Sequence, residues 1–160
     1  MNYKRFFLTS GTGTSTISRL NALDKALMHA NISQCNLVKV SSILAPDAKE
    51  TQPTEIPAGT ITHCVLATID GQTGQETTAG IAYAQLEDQK GKHTYGIVAE
   101  DTGHYNQKTC TNNLNEKILE MAEARKMKIT KNTVKTITTT IPDTPNGTYT
   151  HAIAALIYAE

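Results

Sequence analysis

The chain has 160 residues, with 15 Lys and Arg balancing 15 Asp and Glu. That length suits a single domain whose core needs no disulfide or metal staple. Zero net charge, without a basic run interleaved with aromatics, excludes a nucleic-acid surface. Cys35, Cys64 and Cys110 are odd in number, widely spaced and outside any CxxC or Cys/His pattern. They read as free thiols in a reducing compartment, which points to the cytoplasm. His29, His63, His93, His104 and His151 have no metal-ligand spacing, so no metal is expected. The first residues carry two cations and too short an apolar run for a signal peptide, and no later run reaches membrane-spanning length.

In chain order, residues 2–8 read as a strand, and Gly11-Thr-Gly13-Thr-Ser15 as a turn, since it lacks the P-loop lysine and the dinucleotide fingerprint. Leu20, Leu23, Leu27 and Ala30 recur at helical spacing after Ser18, a residue suited to cap a helix. Asp24 falls about 40° from Leu20 and about 60° from Leu27, a half-buried position at the border of that stripe. Residues 36–44 read as a buried strand with Ser41 and Ser42 side by side near its end. The longest loop follows, from Pro46 to Gly59, a place where function is often carried.

Strands are expected at 60–69, 76–86, 93–99, 132–141 and 148–158. In "TITHCVLATI" Ile61, His63, Val65 and Ala67 alternate with Thr62, Cys64 and Leu66, so both faces are partly apolar and suited to being covered. Leu114, Ile118, Met121, Ala122 and Arg125 mark a second helix. Turns are expected at Asp70-Gly71, Lys90-Gly91, Gly103, residues 142–145 and Asn146-Gly147. The class is α+β with mainly antiparallel pairing.

Two adjacent serines at a strand end ordinarily satisfy backbone groups or start a turn. They also permit a sharper chemistry. If a turn strains the peptide between them, the Ser42 hydroxyl can attack the Ser41 carbonyl, and the resulting ester can break by elimination. A dehydroalanine then remains at position 42 and hydrolyses to a pyruvoyl group. Such a ketone forms a Schiff base with a substrate amine and accepts the electrons left when carbon dioxide departs. Glu100, at a strand exit beside Asp101, reads on its own as a solvated carboxylate. Asn36 reads equally as a strand cap or as an amide holding the Ser41 carbonyl.

The stretch "LNALDKALMHANISQCNLVKVSSILAP" resembles the pyruvoyl-dependent arginine decarboxylases, whose pattern is roughly LNAFDxAL, AGIG, NL and SSIxP. The likeness is dense from Gly11 to Pro46 and thinner through "YGIVAED" and "NEKILEMAEA" to the last strand. It implies one domain over 1–160 with a four-layer αββα sandwich. It also implies cleavage between Ser41 and Ser42 into a β chain (1–41) and an α chain (42–160), and a homotrimer of such protomers with sites between neighbours, whether or not trimers pair further. The covalent pyruvoyl group would come from Ser42, with Asn36 positioning the scissile bond and Glu100 as proton donor, a role requiring burial and an adjacent Asp101 at the same site, or with Asp101 itself as the functional member. Asp24 would take the guanidinium of L-arginine, Leu27 its methylenes, and Ser33, Cys35 and Ile43 the rest of the substrate contacts. Agmatine would be the product, serving polyamine synthesis or acid consumption. Asn31 and Ser33 replace the two glycines of AGIG; Asn tolerates a left-handed backbone, whereas the Ser33 side chain would narrow the substrate's approach. Lys25 is expected to project outward, which keeps arginine the first choice. The competing readings are an unprocessed trimeric module that binds a small amine, and a pyruvoyl decarboxylase of another amino acid.

Overall fold

The computed structural model describes residues 3–159; Asn2, at the start of the first expected strand, lies outside them. Strands β1 (Arg5–Ser15), β2 (Asn36–Lys39), β4 (Lys49–Glu50), β5 (Ile61–Gln72) and β10 (Tyr149–Ala159) form one sheet in the order β2-β5-β10-β1-β4. Its three long strands pair antiparallel, while the short edges β2 and β4 run parallel to their neighbours. Strands β3 (Ile43–Leu44), β6 (Thr77–Glu87), β7 (His93–Gly103), β8 (Lys128–Ile129) and β9 (Lys135–Ile141) form a wholly antiparallel second sheet. Helix α1 (Arg19–His29) packs on β1 and β10, and α2 (Gln107–Ala124) on β6 and β7.

Strand periodicity decides what each face buries. On β10, Ala152, Ala154, Leu156 and Tyr158 join Phe6, Val65, Ile81, Tyr83 and Val98 in a core shared by both sheets. The alternate residues Ile153, Ala155 and Ile157 pack with Ala26 of α1 and Ala30 at its C-cap. Ala82, Ala84, Ile97 and Ala99 meet Cys110, Leu114, Ile118 and Ala122 of α2. The expected alternation in β5 holds, with Val65 and Ala67 in the shared core and Cys64 on the α1 side. All three cysteines are free thiols.

The glycine-rich stretch is strand, not turn. Gly11 and Gly13 lie within β1 where α1 crosses it, and an added Cβ would stand 2.1 Å from the carbonyl oxygens of Ala26 and Ala22, respectively. Small residues on both elements let helix and strand backbones approach, so the buried line of α1 is Ala22 and Ala26, not the leucines. Ser18 does cap the helix, accepting from Asn21 N. Gly13→Val is expected to cost about 3 kcal/mol of stability by forcing α1 off the sheet, read from urea denaturation.

Asp70-Gly71 is likewise strand, where Gly71 leaves room for the hydroxyls of Thr77 and Thr150; the turn is at Gly74, with φ 81°. Gly91 and Gly147 occupy their expected turns with positive φ. Gly103 ends β7 rather than turning, and the chain bends just beyond it.

Candidate active site

Residues 36–44 do not form one buried strand. β2 pairs with β5 on the edge of the first sheet and β3 pairs with β7 on the edge of the second, so Val40, Ser41 and Ser42 cross between sheets. The run lies along two edges, and its apolar side chains therefore stay partly open: Val38 is 39% and Ile43 45% exposed, and Leu44 alone is buried.

The backbone of the crossing is closely fixed. Val40 N donates to Cys64 O at 2.9 Å, Val98 N to Ser42 O at 3.0 Å, and Ile43 N to Ser41 O at 3.1 Å. The last bond closes a three-residue turn about Ser42 with an ordinary negative φ, tight without being left-handed. A donor on the Ser41 carbonyl also makes its carbon more electrophilic, beside the hydroxyl suited to attack it.

Each serine borders a different cavity. Half-buried Ser42 lines one of about 460 Å³ with Val98, Ala99, Glu100, Lys117 and Met121. Exposed Ser41 lines another of about 520 Å³ with Tyr3, Val40, Ile43, Ala45, His63 and Tyr158. Tyr158 Oη donates to Ile43 O at 2.8 Å, and Tyr3 Oη lies 2.7 Å from His63 Nδ1. The two tyrosines are contributed from opposite ends of the chain.

Glu100 and Asp101 do not share a site. As consecutive strand residues they face opposite ways. Glu100, 27% exposed, has its Oε2 2.8 Å from Lys39 Nζ. Asp101 is buried under α2, accepting from Lys117 Nζ at 2.6 Å, Tyr105 Oη at 2.6 Å and Asn113 Nδ2 at 3.2 Å. Burial acts to raise the Asp101 pKa, but those three hydrogen bonds outweigh it and hold the group below its ordinary value. Asp101 therefore anchors α2 to β7, and Lys117 adds a bond of 2.8 Å to Glu100 O.

A lowered folded-state pKa contributes stability that is present above the unfolded value and lost as pH falls through the folded one. Asp101→Asn should accordingly cost about 1–3 kcal/mol near neutrality. Its deficit against wild type should close below about pH 4, as read from denaturation at a series of pH values.

The other expected site residues lie apart from the serines. Asn36 Nδ2 donates to Gly59 O at 3.0 Å, the strand-cap alternative, and five residues of extended chain, roughly 16 Å, separate it from Ser41. Asp24 is exposed, not half-buried. It is two residues from both Ala22 and Ala26, roughly 200° of helix rotation, and so faces away from the sheet. Ile17 (79% exposed), Leu20 (73%) and Met28 (58%) are also open to solvent there. Lys25 is exposed as expected. Leu27 and Cys35 are half-buried against the α1-side core. Asn31 adopts φ 58°, and exposed Ser33 lines a cavity with Met28, Asn31 and Glu55.

Ser41, Ser42, Ile43 and Glu100 thus lie around the crossing, while Asp24, Leu27, Ser33, Cys35 and Asn36 are spread over α1 and the segment after it without sharing one cavity. The Cys64 thiol, pushed up to about 11 by burial, is unsuited to act as a nucleophile beside the crossing.

A tight turn on a serine pair, beside a cavity that Glu100 also lines, supplies the residue types that a pyruvoyl-type decarboxylase uses. The model of the family described as pyruvoyl-dependent arginine decarboxylase matches residues 5–160. A curated pyruvoyl-dependent arginine decarboxylase of Methanopyrus kandleri is 34% identical over 156 residues, 97% of this chain and 96% of that protein. Pyruvoyl-dependent arginine decarboxylase 2 of Methanosarcina acetivorans is 38% identical over 61% of this chain and 54% of its own length. One of Methanococcus vannielii is 30% identical over 74% and 70%. The chain belongs to the pyruvoyl-dependent arginine decarboxylase family, and the covalent pyruvoyl group is that family's prosthetic group.

Proposed function

We propose that the chain cuts itself between Ser41 and Ser42, into residues 1–41 and 42–160, and converts L-arginine to agmatine and carbon dioxide. The observation that carries the reading is the turn in which Ile43 N holds the Ser41 carbonyl next to Ser42. The residues fit a pyruvoyl group at position 42: the site is half-buried, tethered by Val98 N, and open to a cavity lined by Glu100, a carboxylic acid suited to proton transfer, and by Glu120 from α2. The group supplies a sink for the electron pair released as the substrate carboxylate leaves. Glu100 then delivers the proton that replaces carbon dioxide on the substrate's α-carbon. Asp24 takes the guanidinium in a paired, planar contact that selects arginine over shorter or uncharged amines.

Asp24 faces away from its own sheet, so the complete site lies between copies. The apolar residues around Asp24 support this, because solvent is a poor environment for Ile17, Leu20 and Met28 together. The assembly proposed is a trimer of four-layer αββα protomers, and the three free thiols favour the cytoplasm.

Intact-mass spectrometry of freshly purified wild-type protein tests the reading. Two fragments are expected, the larger lacking a free α-amine and reactive to hydride reagents. A single mass equal to the uncut chain would overturn it.

A further inference from the structure

The pair between Lys39 and Glu100 has no part in the function proposed above. Lys39 is the last residue of β2, three positions before Ser42, and its Nζ stands 2.8 Å from Glu100 Oε2. The bond to be cut therefore lies between two sets of tethers. Lys39 to Glu100 and Val40 N to Cys64 O hold one side, and Val98 N to Ser42 O holds the other. Of the other charged groups around Glu100, Lys117 is engaged by Asp101 and by the Glu100 backbone, while Glu120 on α2 and Arg125 at its C-cap line the cavity. Among the described residues, Lys39 is the cation that meets the Glu100 carboxylate itself.

We propose that Lys39 is a positioning residue for maturation: it holds the Glu100 carboxylate ready at Ser42, and the cut releases it. The inference rests on the self-cleaving reading. In the first step Ser42 Oγ bonds to the Ser41 carbonyl carbon as the C–N bond breaks, and Glu100 relays the hydroxyl proton to the departing nitrogen. In the second step Glu100 takes the Ser42 Cα proton, the Cβ–Oγ bond breaks, and Ser41 leaves as a carboxylate. Tautomerisation and one water then exchange the nitrogen for oxygen, with release of ammonia and no net redox change. At the end the negative charge has moved from Glu100 to Ser41, and Glu100 carries the Cα proton. The new carboxylate is the main-chain carboxyl of Ser41, two residues after Lys39 and within the span of a long, flexible lysine side chain. The anion that draws Lys39 thus changes as the cut is made, and Glu100 is left protonated for turnover.

Lys39→Met and Lys39→Arg test this in a pulse of cell-free synthesis, with conversion of the uncut chain to two fragments followed on denaturing gels. Lys39→Met should lengthen the maturation half-time about tenfold or more, and Lys39→Arg should restore most of the rate. Melting should be unchanged in both, because a pair this exposed contributes little to stability. A crystal structure of the matured protein should show Lys39 Nζ on the Ser41 carboxylate. Maturation of Lys39→Met at the wild-type pace, or Lys39→Arg as slow as Lys39→Met, would overturn the positioning role; Nζ still on Glu100 after cleavage would overturn the release. Wild-type protein that never splits would instead sink the self-cleaving reading itself.

Discussion

Ser42→Ala should purify as one uncut chain and release no carbon dioxide from arginine, a complete loss on both intact mass and activity. The substitution removes the one oxygen that the turn presents to the Ser41 carbonyl. It leaves the bonds from Ile43 N and Val98 N in place, because these engage the backbone carbonyls of residues 41 and 42. The variant should therefore melt with unprocessed wild type, so that loss of chemistry is separated from loss of fold. Ser41→Ala is the informative companion. Its carbonyl and the Ser42 nucleophile are both retained, so it should still split into two fragments. If Ser41→Ala were inert and Ser42→Ala split normally, the roles of the pair would be reversed.

The two helices, the antiparallel class and the family were legible because each has a local signature. Ser18 announces α1, the period-2 pattern of β5 announces two covered faces, and the serine pair sits at fixed spacing after an LNAxDxAL helix. The apolar stripe of α1 misled for a physical reason. Leucine normally marks a buried face, but here Gly11 and Gly13 admit only alanines between helix and strand, which leaves Leu20 outward. A glycine pair at i, i+2 facing alanines at i, i+4 was a usable sign of that close approach.

The opposite orientations of Glu100 and Asp101 were also available from strand period alone. The split of residues 36–44 was not. A run of Leu, Val, Val, Ile and Leu gives no indication that its two ends join different sheets, since that depends on where β5 and β7 place their edges. Nor could the sequence join Tyr3, His63 and Tyr158 around Ser41, because residues so far apart in the chain meet only through the sheet.

The position of Asp24 permits a test that a site within one chain would fail. Asp24→Asn alone should still cleave itself, since its carboxyl lies on the outer face of α1, which packs on β1 and β10. It should lose about thirtyfold or more in kcat/KM for arginine, because a neutral amide leaves the guanidinium without its ionic partner. Ser42→Ala alone is inactive. When the two variants are co-expressed with separable tags, some interfaces will join an intact Asp24 from one copy to a matured position 42 from another. Random assortment restores about a quarter of the sites in a closed ring of like copies, so the mixed assembly should recover activity that neither parent has. If Asp24 served the Ser42 of its own chain, every site in the mixture would lack one of the two groups, and co-expression would recover nothing above the residual rate of Asp24→Asn.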